Sequence, residues 1–260
     1  MTLIPLPALR DNYIWLLHDQ GHALVVDPGD AGPVWDVLRH DSLVLSTILV
    51  THHHTDHTGG VADLQQATGA AVYGPAGLPP LPCPWIGLHD SDIVQALGHR
   101  FAVMHIPGHT ADHIAYFGPC DDDEPLLFCG DTLFGAGCGR LFEGTPAQML
   151  ASLTRLAALP DATRVCSAHE YTVDGLRFAH WLEPENAYVA DRLAWALARR
   201  ASHLPTLPST LGLEKSTNPF LRTHQPAVVS AVLPAMQLRC AANPDPVSVF
   251  AALRTLKDQF

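Results

Sequence analysis

Apolar and polar positions alternate over short stretches through the first two-thirds of the chain and recur at helical spacing in the last third. Residues 2–27 read as a β meander, with 12–17 and 23–27 strand-like and Asp19-Gln20-Gly21 as the turn between them. Pro28-Gly29-Asp30 leads into a helix over 33–39. The run from Leu43 to Val50 is apolar and reads as a buried strand. Thr58-Gly59-Gly60 then predicts a tight turn into a helix over 60–68. Further strand-like pieces fall at 70–73, 92–95, 100–106, 113–117, 125–129 and 163–167, with an acidic hairpin tip over 120–125. Thr145 as N-cap and Pro146 at the first position open a helix whose buried stripe is Met149, Leu150, Leu153, Leu156 and Leu159.

From residue 170 onward the texture becomes helical. Glu185–Ser202 is one helix, with Tyr188, Leu193, Trp195 and Leu197 as its apolar content. Residues 206–219 read as loop. Asp245-Pro246 caps a last helix to Phe260, with Val247, Phe250, Leu253 and Leu256 as its stripe and Arg254 and Lys257 beside it, one turn apart. Strands early and late, each half with helices, predict an α/β fold with two facing sheets and helices outside, followed by a smaller helical region.

Charge sharpens that division. The net charge is −11. Residues 1–169 carry 18 acidic and 6 basic side chains, a net of −12, whereas 170–260 carry 8 and 9, a net of +1. This places a boundary between a domain over 1–169 and one over 170–260. The acidic balance excludes nucleic acid and anionic membranes as partners. No segment approaches 18 apolar residues. Met1–Pro5 has no signal-type pattern, and the six cysteines (83, 120, 129, 138, 166, 240) form no dense framework. A cytoplasmic monomer with free thiols is expected, with Cys129 and Cys166 in the core.

Candidate chemistry concentrates just after the Leu43–Val50 run, in Thr51-His52-His53-His54-Thr55-Asp56-His57. Imidazoles suit zinc and similar ions, and a carboxylate adds a hard oxygen. A loop can turn His52, His54, Asp56 and His57 toward one point, which a straight strand cannot. His53 is the odd one out.

This motif resembles the metallo-β-lactamase superfamily. The resemblance implies an αββα sandwich and three further ligands, each at a strand end. His109 in Pro107-Gly108-His109-Thr110, Asp131 in Cys129-Gly130-Asp131-Thr132 and His169 after Ala168 answer it in order. By resemblance, His52, His54 and His109 hold one divalent ion, Asp56, His57 and His169 a second, and Asp131 bridges them. The two ions are most readily zinc, with iron or manganese also candidates. Asp56 and Asp131 are then the carboxylates at the reacting centre, where a bridging hydroxide attacks a carbonyl.

Later segments narrow the resemblance to the hydroxyacylglutathione hydrolase (glyoxalase II) family. They are Arg10-Asp11-Asn12-Tyr13, Gly137-Cys138-Gly139-Arg140, Ala168-His169-Glu170-Tyr171, Asn218-Pro219-Phe220-Leu221-Arg222 and Lys257-Asp258-Gln259-Phe260. The resemblance implies hydrolysis of S-(2-hydroxyacyl)glutathione, such as S-D-lactoylglutathione, to a 2-hydroxy acid and glutathione. It implies that Arg140, Tyr171, Arg254 and Lys257 bind the glutathione part, whose carboxylates suit basic groups. Two departures stand out: Phe142 where many relatives have tyrosine, and Asp112 where glycine is usual. Two other readings are a sulfur-oxidising mono-iron dioxygenase of the same superfamily and a metal-stabilised binding protein without activity.

Overall fold

The structure is a computed structural model that describes residues 1–118, 124–236 and 244–260. Cys120, Cys240 and most of the acidic tip expected over 120–125 lie outside these residues. Among the described residues there are two six-stranded sheets. The first runs, in spatial order, Thr2–Ala8, Asn12–Asp19, His22–Val26, Val44–Leu49, Ala71–Pro75, Ile86–Leu88. The second runs Ser209–Thr210, Arg164–Ser167, Leu126–Gly130, Ile114–Gly118, His99–His105, Ile93–Ala96.

Strand Asn12–Asp19 shows how the layers are built. Its period of two sends Tyr13, Trp15 and Leu17 between the sheets and Ile14 and Leu16 to the outer face. Between the sheets these meet Phe101, Val103, Tyr116, Leu126 and Phe128. On the outer face Ile14 and Leu16 meet Val34 and Leu38 of helix Ala31–His40 and Val61 and Leu64 of helix Val61–Thr68. The outer face of the second sheet, through Leu127 and Val165, packs on Met149, Leu153 and Leu156 of helix Pro146–Ala157. A strand buried on both faces has no polar side to show, which is why these segments read as apolar runs.

The helical region does not stand apart. Phe178 of Thr172–Leu182, Phe220, and Phe250 and Leu253 of Pro246–Gln259 join that same outer core. Segment 206–219 departs from the loop expected there. It holds strand Ser209–Thr210, helix Leu211–Thr217 and a 3₁₀ turn Pro219–Leu221. Pro208 and Pro219 sit toward its ends, while Thr210 caps the helix by accepting from the Leu213 N–H at 3.3 Å. In helix Ala187–Ala201 the buried face is Val189, Arg192 and Ala196, while Tyr188, Trp195 and Leu197 are exposed. Cys83, Cys129, Cys138 and Cys166 are free and buried.

This topology gathers the strand ends. His99–His105 and Leu126–Gly130 both run antiparallel to Ile114–Gly118, and Arg164–Ser167 runs parallel to Leu126–Gly130. Their C-terminal ends therefore open on one edge. There the Tyr13 N–H donates to the Ala168 carbonyl at 2.7 Å and joins the two sheets.

Candidate metal centre

All seven candidate ligands lie at that edge. His52 and His54 follow Val44–Leu49 directly. Asp56 and His57 sit on a one-turn helix, Thr55–Thr58, rather than on plain loop. His109, Asp131 and His169 leave the three strands of the second sheet. Gly130 makes the approach possible: its φ is 46°, and a Cβ there would press into the Thr51 hydroxyl.

The donor atoms form two groups. Those of His52, His54, His109 and Asp131 lie within 4.8 Å of one another, as do those of Asp56, His57 and His169. Asp131 faces both. Its Oδ2 is 3.3 Å from His109 Nε2, and its Oδ1 is 3.3 Å from His169 Nε2 and 3.4 Å from His57 Nε2.

The hydrogen bonds behind the rings decide what the inward nitrogens carry. His57 Nδ1 faces Asp27 Oδ2 at 3.1 Å, His109 Nδ1 faces the Arg140 carbonyl at 2.9 Å, and His169 Nδ1 faces Asp11 Oδ1 at 2.8 Å. The Thr51 hydroxyl donates to Asp27 Oδ2 at 2.7 Å, so it accepts from His52 Nδ1 at 3.0 Å. Each outer acceptor holds a proton on Nδ1 and leaves Nε2 facing inward, as a lone pair on His52 and His109, whose burial disfavours a second proton. His52 Nε2 and His109 Nε2 both point at His54 Nδ1, each at 3.1 Å. His57 Nε2 and Asp131 Oδ1 are buried with no hydrogen-bond partner. Converging lone pairs and an orphaned carboxylate oxygen are what a pair of cations would satisfy.

The two groups differ electrically. Burial, then the neighbouring imidazoles, pushes His52 well below its ordinary pKa. Burial also lowers His54 and His109. Burial opposes charge on His57 and His169 too, but carboxylates outweigh it. Asp131, Asp27 and Asp56 hold His57 well above its usual value, and Asp131 and Asp11 raise His169. His57, with Nε2 3.4 Å from Asp56 Oδ2, holds Asp56 below the usual carboxylate range. Burial opposes ionisation of Asp131, and His57 and His169 overcome it.

Outer contacts that sequence reasoning missed matter here. Asp27 serves both Thr51 and His57, and its place at the end of an apolar strand, like Asp131's, was the available signal. Asn12 donates to Asp56 Oδ2 at 3.1 Å. His113 Nε2 accepts the Asp131 N–H at 3.1 Å, and its ring stacks on His52 at 4.7 Å. Nothing in the spacing marked it. His53 turns away, with Nε2 3.1 Å from Glu143 Oε1 and Nδ1 4.0 Å from Asp112 Oδ1.

An open cleft of about 460 Å³ lies over the centre, lined by His53–Asp56, His109, Asp131, Phe142, His169 and Tyr171. Phe142 is exposed and sets its ring edge to face with His54 and His109 at 5.5 and 5.3 Å. Tyr171 stacks flat on His169 at 4.8 Å. The three basic residues do not line this cleft. Arg140 is exposed, with Nε 3.6 Å from Asp258 Oδ1. Lys257 donates to the Asp174 carbonyl at 3.1 Å and lies 5.3 Å from the Phe178 and Phe260 rings. Arg254 is buried. It donates to the Cys138 carbonyl at 2.8 Å and to Asp258 at 2.9 Å, so it lies in the stripe rather than beside it.

Comparison with known proteins decides the family. A model described as the metallo-beta-lactamase superfamily matches residues 8–169, and one described as the hydroxyacylglutathione hydrolase C-terminus matches residues 170–260. A hydroxyacylglutathione hydrolase of Albidiferax ferrireducens is 61% identical over 260 residues, covering 100% of both chains. The chain belongs to the hydroxyacylglutathione hydrolase family.

A second hydroxyacylglutathione hydrolase, of Pseudomonas aeruginosa, is 54% identical over 259 residues, covering 98% of each chain. Among solved structures, ETHE1 from Myxococcus xanthus shares the fold at 24% identity, with a TM-score of 0.66 over 99% of this chain and 98% of that one. TTHA1623, solved in a di-iron-bound form, is 28% identical with a TM-score of 0.60, covering 85% of this chain and 100% of that one. The superfamily fold and the two donor groups of this hydroxyacylglutathione hydrolase family member are those of a dinuclear metal site. Among the described residues no helix is long and apolar enough to cross a membrane.

Proposed function

We propose that the protein hydrolyses S-(2-hydroxyacyl)glutathione thioesters, with S-D-lactoylglutathione as the type substrate, yielding a 2-hydroxy acid and glutathione. The observation that carries this is the joining of two convergent donor groups to a helical region that matches the hydroxyacylglutathione hydrolase C-terminus throughout. His52, His54 and His109 would hold one divalent ion, Asp56, His57 and His169 the other, with Asp131 offering one oxygen to each. Zinc suits this nitrogen-rich set best, and the added carboxylates admit iron or manganese. Ions held by these residues would supply an acidified water and Lewis acidity toward the thioester carbonyl.

The chain's own groups do the rest. The outer acceptors fix each ring in its metal-binding tautomer. Asp56, half-buried and anchored at Oδ2 by Asn12, orients the attacking water at the cleft edge. Phe142 and Tyr171 flank the cleft and grip the substrate. Arg140 and Lys257 meet the peptide carboxylates as charge-assisted donors, and Arg254 supports them from behind through Cys138 and Asp258. Buried free thiols fit a reducing cytoplasm.

Loss of thioester absorbance from S-D-lactoylglutathione, with metal analysis on the same sample, tests the reading. Two ions per chain and rapid hydrolysis are expected. One iron with oxygen consumption, or no turnover by the metal-loaded protein, defeats it.

A further inference from the structure

The two-stranded hairpin Leu133–Phe134 with Gly137–Cys138 starts two residues after Asp131 and ends two before Arg140. Arg140 matters to the centre through its carbonyl, which orients His109. The Gly139 N–H bonds the Thr132 carbonyl at 3.3 Å, and a Cβ on Gly139 would overlap the Asp131 carbonyl oxygen. Any shift of the hairpin is therefore passed to Asp131 and His109 together. The hairpin cannot hold itself rigidly. It is two residues per strand, and Ala136 at its tip takes φ 53°, in the left-handed region that L-residues avoid.

Its outward backbone groups end on buried side chains of the helical region. The Ala136 N–H donates to Glu214 Oε2 at 2.8 Å. Asn218 Nδ2 donates to the Phe134 and Gly137 carbonyls at 3.2 and 2.9 Å, and Asn218 Oδ1 accepts the Phe220 N–H at 3.0 Å. Glu214 and Asn218 are both 0% exposed. The other Glu214 oxygen accepts from Arg192 at 2.5 Å and Ser209 at 2.6 Å, and Arg192 also donates to Thr217 at 2.5 Å. A fully buried carboxylate–guanidinium pair contributes little to stability over an apolar substitute of the same volume. Here it leaves one carboxylate oxygen free to grip a strained backbone amide beside the centre.

We propose that Glu214 and Asn218 are positioning residues of the metal centre, acting through the 133–140 hairpin on Asp131 and His109. The helical region would then set metal affinity as well as substrate affinity. This rests on the dinuclear reading above.

The test uses the full chain stripped of metal and titrated with cobalt(II) or zinc against a competing chelator, with the cobalt(II) absorption bands recorded. Glu214→Gln and Asn218→Ala should each bind both metals about tenfold more weakly, the scale of losing a ligand's outer support, and shift the cobalt(II) bands. The exposed Glu185→Gln should change neither. Variants that melt lower yet bind cobalt(II) with unchanged affinity and spectrum overturn the proposal, as does failure of both variants to fold, because the role is then structural. Failure of the unmodified chain to bind two ions would defeat the dinuclear reading instead.

Discussion

The two donor groups sit side by side in one cleft yet are built from opposite materials. His52, His54 and His109 are imidazoles backed by a hydroxyl and a carbonyl, and burial keeps them neutral. In the other group His57 is backed by Asp27 and His169 by Asp11, and Asp131 first, then these backing carboxylates, raises both rings against the pull of burial. The first group is ready to bind an ion without giving anything up. The second holds protons that an ion must displace. On the proposed assignment one centre would offer a nitrogen-rich seat and a more anionic one, with Asp131 shared between them.

Removing that shared residue should have the largest effect. Asp131→Ala should lower the content of both ions and abolish nearly all turnover, measured by metal analysis and thioester hydrolysis. Retention of two ions at a normal rate would show that the groups do not depend on Asp131. Breaking only one backing carboxylate should separate the seats. Asp11→Ala removes the acceptor behind His169 and should weaken the second ion roughly tenfold to a hundredfold while sparing the first. Stepwise metal titration checks this; equal weakening at both seats would refute the division.

Protons give a sharper comparison. Carboxylates hold His57 well above its ordinary value and raise His169 in the same direction, so binding at their seat should release protons and its affinity should rise with pH. His52, His54 and His109 have lowered values and are already neutral, so their seat should show a nearly flat profile until the solution is distinctly acid. On acidification the Asp56 seat should empty first. Calorimetry in buffers of different ionisation enthalpy counts the released protons, and identical counts at the two steps would contradict the electrical contrast.

How much of this was legible beforehand follows from which interactions are local. The metal loop was readable because four donors fall within six residues, and the later ligands because the family resemblance of that loop calls for a histidine, an aspartate and a histidine at strand ends. The sheets were readable because burial on both faces forces apolar runs. The outer layer was not. Asp27 supports His57 from 30 residues away, and Glu214 reaches Ala136 across 78. Helix Leu211–Thr217 was hidden for a related reason: its buried face carries Glu214 and Thr217, so no apolar period announces it. Arg254 misled in the same way. A guanidinium is expected in solvent, yet this one fills a core position because the Cys138 carbonyl and Asp258 satisfy it.

The comparison extends beyond the cleft to its surroundings. On the helical region, outside the cleft lining, Lys257 keeps two donors free after bonding Asp174. Lys257→Ala should raise KM for the glutathione thioester tenfold to a hundredfold, given about 1.5–3 kcal/mol for a hydrogen bond to a charged group, and leave kcat near normal. Burial lowers the Lys257 pKa. Only the ammonium binds a carboxylate, so KM should begin to climb with rising pH before the ordinary lysine range. Lys257→Arg should remove that climb. A simple thioester without the peptide should feel none of this.

The smallest effect is expected on the Phe142 side. The Asp112 carboxylate is 4.0 Å from His53 Nδ1, a ring that itself turns out of the centre toward Glu143. It touches neither donor group. The loop it occupies is held by backbone bonds from Ile106 to His113 at 2.8 Å and from Gly108 to Thr110 at 3.0 Å and by the Ala111 N–H donating to Glu143 Oε2 at 2.8 Å, none of which Asp112 supplies. Asp112→Gly should therefore leave both ions bound and turnover within a few-fold, the difference confined to substrates with charge near that wall. Loss of an ion from this variant would mean that the rim carboxylate feeds the His52–His54–His109 seat through His53. The contrast between a neutral seat and an anion-backed one would then fail on the side where it looks cleanest.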